Sequence, residues 1–138
     1  MLGQHCFKHW SSTQAIISLS SGEAEYYGVV KAASNALGCQ AMFKDMGISV
    51  SINVHTDAEA AKGIASRTGL GKTRHIAVHY LWVQECVRLG KFKLLKVRGD
   101  DNPADLLTKH LLSDRLRHLM KIFSAVSREG RSEVTPSI

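Results

Sequence analysis

The fold of this chain is decided by residues 49–57, which read SVSINVHTD. Val50, Ile52 and Val54 alternate with polar residues, and this period of two predicts a strand over residues 49–56 with one face on a core. Asp57 stands at the carboxyl end of that strand, and residues 58–66 read as a short helix. The chain therefore passes from strand to helix at an acidic residue.

A long helix is predicted upstream of this strand. Ser20 and Glu23 have the spacing of a capping box, which marks a helix start. Residues 22–46 are rich in alanine, with apolar side chains at helical spacing, and Gly47 is a natural stop. Residues 4–10 mix apolar and polar types and are expected to form a short strand.

Further elements are predicted downstream of the strand. An apolar stripe predicts a helix over residues 75–89, and residues 91–97 form a second strand. Asn102 as N-cap and Pro103 as the first helical residue begin a last helix, expected to extend to about residue 124. Strands separated by helices indicate an α/β fold in which the last two strands pair in parallel.

The bulk composition narrows the class of protein. The chain has 18 Lys and Arg against 12 Asp and Glu, a formal charge of +6, which suits a polyanionic partner such as nucleic acid. A lysine-rich surface without such a partner is the alternative. The three cysteines are far apart, so neither a disulfide framework nor a cysteine-rich zinc site is indicated.

The length fits one small domain, expected over residues 1–124, with a disordered polar tail over residues 125–138. The sequence has neither an apolar run long enough for a transmembrane helix nor a secretory signal at its start. We expect the cytoplasm or nucleus and no membrane partner.

Three acidic residues lie where they suggest phosphoryl-transfer chemistry. Asp57 ends a strand, Asp105 lies in the first turn of the last helix, and Glu25 lies near the start of the first helix. Mg²⁺ prefers oxygen ligands, and carboxylates at one edge of a sheet can supply them. Each residue also has a structural interpretation: the helix dipole favours Glu25 and Asp105 near helix starts, and Asp57 would serve as an N-cap.

Several short motifs follow one another along the chain. Residues 9–14 read HWSSTQ, residues 20–26 SSGEAEY, residues 56–61 TDAEAA, residues 72–76 KTRHI and residues 102–109 NPADLLTK. In this order they resemble the W-S-S-K-x-Q, S-S-x-E-A-E-Y, C-D-N-x-S-A, K-T-R/K-H-I and A-D-x-x-T-K motifs of copia-type retrotransposon ribonuclease H domains. The resemblance covers roughly residues 10–112, and the motifs together are highly specific.

The resemblance implies an RNase H-like fold, a mixed sheet with flanking helices, that hydrolyses the RNA strand of RNA–DNA hybrids with two Mg²⁺ or Mn²⁺ ions. The family's helix glutamate corresponds to Glu25, its central aspartate to Asp57 and its last aspartate to Asp105. Glu23 is then the capping-box partner. By resemblance, Glu25 and Asp57 hold the metal on the leaving-group side, and Asp105 holds the metal that activates water.

The resemblance also suggests partners. Lys72, Arg74 and His75 are expected to contact the phosphate backbone, which positions a nucleic acid without reading its sequence. A solvated cationic loop is the alternative for these three residues. The implied parent is a Pol polyprotein that includes a reverse transcriptase and works in a virus-like particle.

One departure from the family pattern affects the expected activity. The family begins with a strand whose aspartate bridges both metals, but no aspartate precedes Asp45 here. The first two strands are therefore expected to be missing, the metal site to be incomplete and the chain to be inactive alone. A non-catalytic basic nucleic-acid-binding remnant and a fragment of a decayed element are the alternatives.

Overall fold

The computed structural model describes residues 1–3, 5–69, 71, 76, 78–122 and 124–125. They fall into two compact units: Thr13–Gly99, which we call the central unit, and Met1–Ser12 with Asp100–Ile138, which we call the terminal unit. The tail expected after residue 124 lies outside the described residues, apart from residue 125.

The central unit begins with α1, Ser21–Asp45. The Ser20 side chain caps it by accepting a hydrogen bond from the Glu23 amide, as the sequence predicts. At the other end Gly47 takes a positive φ of 77°. Its amide bonds to Lys44 O at 2.9 Å, and the Ile48 amide bonds to Phe43 O at 2.8 Å, a Schellman motif. The predicted start and stop of this helix are confirmed.

Strand β1, Asn53–Thr56, comes next, followed by α2, Glu59–Ser66. Strand β1 is shorter than the predicted residues 49–56. The alternation is nevertheless real, because Ile52, Val54 and Thr56 are buried while Asn53 and His55 are exposed. Alternation reports burial of one face, whereas strand assignment also needs a partner strand, and β2 reaches only the end of this segment.

The helix predicted over residues 75–89 is a 3-10 turn, Val78–Tyr80, followed by α3, Trp82–Arg88. His75 and Ala77 lie outside the described residues. Gly90, at a φ of 67°, ends α3 as predicted, with the Lys91 amide bonded to Cys86 O at 2.9 Å.

Strand β2, Lys93–Lys96, pairs in parallel with β1, from Asn53 opposite Lys93 to Thr56 opposite Lys96. This confirms the predicted parallel pair. In the part of the chain that the structure describes, the sheet has two strands, so the larger mixed sheet is not seen. The chain is a mixed α/β structure with a small parallel sheet and flanking helices.

The core of the central unit lies between these elements. Helix α1 packs on α2 and β1, and α2 also packs on α3 and β2. A fully buried aliphatic side chain such as Val83 contributes roughly 1.5–3 kcal/mol to stability. The buried set comprises Tyr26, Tyr27, Val29, Val30, Ala33, Ile52, Val54, Ala61, Ile64, Ala65, Ile76, Val83, Cys86, Phe92 and Leu94.

The terminal unit corrects two predictions. Gln4 lies outside the described residues, and residues 6–10 form no strand, because all of them are exposed and offer no face to a core. Before them, Leu2 and His5 make an isolated antiparallel bridge.

The helix predicted from Pro103 to about residue 124 is also wrong as a single helix. It is a 3-10 helix, Pro103–Leu107, and a separate α4, Ser113–Ile122, with a further 3-10 turn, Gly99–Asp101, before them. The Thr108 hydroxyl donates to Ala104 O at 3.1 Å, the carbonyl that an α-helix would pair with the Thr108 amide. That amide bonds to Asp105 O instead, and the helix stops there.

No helix among the described residues is both long enough and apolar enough to cross a membrane.

Candidate carboxylate site

Glu23 and Glu25 stand two residues apart at the start of α1 but have different surroundings. Glu23 is 1% exposed. Its carboxylate accepts hydrogen bonds from the Leu19 amide and the Tyr27 hydroxyl, both at 2.9 Å. A capping-box glutamate would accept from the N-cap amide of Ser20, so Glu23 reaches one residue further back. The carboxylate of Glu23 is therefore used in hydrogen bonds at the start of α1, whereas Glu25 is exposed and accessible to a ligand.

Two buried tyrosines support this helix start. The Tyr26 hydroxyl donates to Tyr80 O at 2.8 Å, and the Tyr27 and Tyr80 rings meet edge-on with centroids 4.9 Å apart. Burial raises the pKa of Tyr26 to about 12. Burial, together with the Glu23 carboxylate, raises the pKa of Tyr27 to about 12. Both phenols are therefore neutral structural groups at physiological pH.

Asp57 follows β1 directly and is half-buried. The N-cap of α2 is Ala58, which makes no side-chain cap, so the interpretation of Asp57 as the N-cap is wrong. The turn is held by the Thr56 hydroxyl, which accepts a hydrogen bond from the Ala58 amide at 3.2 Å. The side chain of Asp57 is not needed to start the helix that follows it.

Helices α1 and α2 make a close contact near their starts. A Cβ added to Gly22 would lie 2.7 Å from the Cβ of Ala60. Glu25 lies one helical turn after Gly22, on the same side of α1. Asp57 lies three residues before Ala60, at the carboxyl end of β1, which is where α/β sheets place their ligands.

An ion pair lies at the same end of the sheet, and the sequence analysis did not predict it. Lys96, the last residue of β2, lies 2.6 Å from the Glu59 carboxylate in the first turn of α2. The hydrogen bond from Lys96 lowers the pKa of Glu59. The pair is exposed, so its contribution to stability is small, but it ties β2 to the turn that carries Asp57. No feature of sequence spacing indicated it.

Asp105 belongs to the terminal unit. It lies in the Pro103–Leu107 turn, whose N-cap Asn102 accepts from the Ala104 amide at 3.2 Å as predicted. Asp105 is 5% exposed, and its carboxylate pairs with Lys109 at 2.8 Å and Arg115 at 3.6 Å. The spacing of four from Asp105 to Lys109 was a usable sequence signal; Arg115 had none.

The described carboxylates do not assemble a metal site. Carboxylates are suitable donors for Mg²⁺ or Mn²⁺, but no group of three or more His, Cys, Asp or Glu side chains gathers in the described part of the chain. Asp105 already faces two cationic side chains. Asp105, which is paired with two cations, therefore does not fit the metal-ligand role that the resemblance gives it. Lys72, Arg74 and His75, the expected backbone contacts, lie outside the described residues.

Comparison with known proteins gives one informative match. A stretch of 101 residues is 30% identical to the Retrovirus-related Pol polyprotein from transposon TNT 1-94 of Nicotiana tabacum. The match covers 72% of this chain and 8% of that polyprotein. No family model matches the chain, and no solved structure matches it. The chain is similar to a short region of a retrotransposon Pol polyprotein.

Proposed function

We propose that this chain is an RNase H-like region of a copia-type retrotransposon Pol polyprotein and that its partner is an RNA–DNA hybrid. The observation that carries the proposal is the contact of Gly22 with Ala60, which packs the start of α1, where Glu25 lies, against the start of α2, which follows Asp57. The similarity to a Pol polyprotein supports the same context. A reverse transcriptase in the parent polyprotein and an intracellular location are part of this proposal.

The chain alone is proposed to bind hybrids without cleaving them. In the parent enzyme, Glu25, Asp57 and Asp105 would supply catalytic carboxylates for hydrolysis of the RNA strand. In this chain no aspartate precedes Asp45, and the described carboxylates form no cluster. Without the family's first aspartate, and with Asp105 already paired with Lys109 and Arg115, hydrolysis by the chain itself is not expected.

Binding is proposed to depend on cationic side chains that contact phosphates. The formal charge of +6 favours a polyanion, and Lys72, Arg74 and His75 form the densest cationic motif of the resemblance. Such contacts weaken as salt increases, because each one releases condensed counterions.

The test is fluorescence anisotropy with a labelled RNA–DNA hybrid, a DNA duplex of the same sequence and single-stranded RNA. The account predicts tighter binding to the hybrid than to the DNA duplex. A Lys72→Gln/Arg74→Gln variant should weaken hybrid binding by about tenfold or more. The matched control is Lys31→Gln/Lys44→Gln, which removes the same charge from the exposed surface of α1 and should weaken it much less. Equal losses in the two variants would contradict a specific role for Lys72 and Arg74.

A basic nucleic-acid-binding remnant without hybrid recognition is the second candidate. It is favoured by the net positive charge together with the lack of a carboxylate cluster in the described residues. The same assay separates the two candidates, because a remnant held only by charge would bind hybrid and DNA duplex alike.

A further inference from the structure

The carboxylate of Asp105 is engaged at both oxygens. Lys109 Nζ lies 2.8 Å from Oδ1, and an Arg115 Nη nitrogen lies 3.6 Å from Oδ2. The Asp105 side chain is only 7% exposed, whereas that of Lys109 is 56% exposed and that of Arg115 is 27% exposed. A buried carboxylate is strongly unfavourable unless it is paired, so these two ion pairs offset the cost of burying Asp105.

The same arginine extends the network to a second aspartate. Arg115 also pairs with Asp100, and His118, three residues further along α4, lies 2.9 Å from the Asp101 carboxylate. Residues three apart share one face of a helix. One face of α4 is thus tied to two neighbouring aspartates and, through Arg115, to Asp105.

The backbone around Asp105 is held as well. Its carbonyl accepts hydrogen bonds from the Thr108 amide at 3.2 Å and the Lys109 amide at 3.0 Å. Its amide donates to Asn102 O at 3.2 Å. These hydrogen bonds fix the backbone position of Asp105. The turn that its carbonyl closes also places Lys109 beside its carboxylate.

From these contacts we propose that Asp105 is an ion-pair hub that fastens α4 to the Pro103–Leu107 turn, and is not an open ligand for a divalent cation. The contacts are internal to the terminal unit and independent of any substrate. The proposal rests on the proposed function only in its contrast with the metal-binding role that the resemblance gives this residue. In this chain a cation would have to displace Lys109 and Arg115 before it could bind.

The ion-pair role and the metal-ligand role of Asp105 predict opposite effects of neutralising this residue on the stability of the chain. A carboxylate kept free for a metal does not stabilise the metal-free protein. Its replacement by a neutral side chain therefore leaves the stability of that protein unchanged or raises it. A paired, buried carboxylate stabilises the folded chain, and its neutralisation removes the ion pairs that it makes with Lys109 and Arg115. Stability in the presence of EDTA therefore distinguishes the two roles without any assay of activity.

The experiment is thermal unfolding of the whole chain in EDTA, for Asp105→Asn, Arg115→Gln and the double variant. Each single variant should lower the Tm by about 5 °C or more. The double variant should lose little more than the larger single loss, because both changes remove one shared interaction. The matched control is Arg117→Gln on the same helix, whose side chain is 73% exposed and 3.5 Å from Asp114, and its Tm should stay close to that of the wild type.

A further variant and a measurement in Mg²⁺ distinguish the remaining outcomes. If Asp105→Asn does not fold while Arg117→Gln does, the milder Lys109→Gln should still lower the Tm, which would support the hub. Millimolar Mg²⁺ should leave the wild-type Tm where NaCl of equal ionic strength leaves it. An Asp105→Asn chain as stable as the wild type, or a rise in Tm with Mg²⁺ that this variant abolishes, would overturn the proposal. Neither result depends on hybrid binding, so failure here is separate from failure of the proposed function.

Discussion

Gly22 in the first turn of α1 and Ala60 near the start of α2 meet so closely that a Cβ on Gly22 would lie 2.7 Å from the Cβ of Ala60. The side chain of Ala60 is a single methyl group that cannot move aside, so any larger residue at position 22 must push the two helices apart. This contact sets the spacing between the starts of α1 and α2, so the packing of the two helices depends on a glycine at position 22.

Replacement of Gly22 by alanine should destabilise the chain. The added methyl group overpacks a contact between two helices, for which the expected loss is about 1–3 kcal/mol in the free energy of unfolding. Urea denaturation followed by circular dichroism measures this loss.

The matched control is Gly28→Ala in the same helix. A Cβ at Gly28 meets nothing within 4 Å, so the change should be neutral or stabilise the chain by up to about 1 kcal/mol, since alanine favours a helix over glycine. If Gly22→Ala is as stable as Gly28→Ala, the two helices do not meet at Gly22.

The two glutamates at the start of α1 should respond differently to loss of charge. Glu23→Gln places an amide nitrogen where the carboxylate accepts bonds from the Leu19 amide and the Tyr27 hydroxyl. The expected loss is about 1–3 kcal/mol. Glu25 is exposed, so Glu25→Gln should stay within about 0.5 kcal/mol of the wild type. Urea denaturation measures the free energy of unfolding of both variants. A larger loss for Glu25→Gln than for Glu23→Gln would contradict the roles assigned to the two glutamates.

Stability should decline at high pH because of the buried tyrosines. The pKa of Tyr26 and of Tyr27 is raised from 10.0 to about 12 in the folded chain, so folding favours the neutral phenols. Their contribution is complete below pH 10 and is lost as the pH rises towards 12, because the unfolded chain ionises first. A Tyr27→Phe variant should show a shallower decline in the free energy of unfolding over this range. An identical decline in both proteins would contradict the buried position of Tyr27.

The parts of the fold that the sequence predicted are those with local causes. The limits of α1 follow from Ser20 and Gly47, and the end of α3 follows from Gly90, because caps and left-handed glycines act within one turn. The parallel strand pair followed from alternation and from the helices between the strands. The break at Thr108 was missed because a side-chain hydroxyl takes a carbonyl that an α-helix would use, which periodicity does not reveal.

The candidate site was predictable only as a list of residues. Motif resemblance singled out Glu25, Asp57 and Asp105, but sequence spacing could not show that Glu25 is exposed or that Asp57 is not a cap. The pair of Asp105 with Arg115 joins two separate helices, and the contact of Gly22 with Ala60 joins segments distant in sequence. Such contacts depend on tertiary packing, so they appear only in the structure.

We propose that this chain is an RNase H-like region that lacks a complete catalytic set of carboxylates. The most direct test is cleavage of a labelled RNA–DNA hybrid by the purified chain with Mg²⁺ or Mn²⁺, beside Asp57→Asn. We expect the chain to bind the hybrid and to show no cleavage above that of the Asp57→Asn chain. Cleavage that Asp57→Asn abolishes would contradict it, because the chain would then possess a complete catalytic set of ligands.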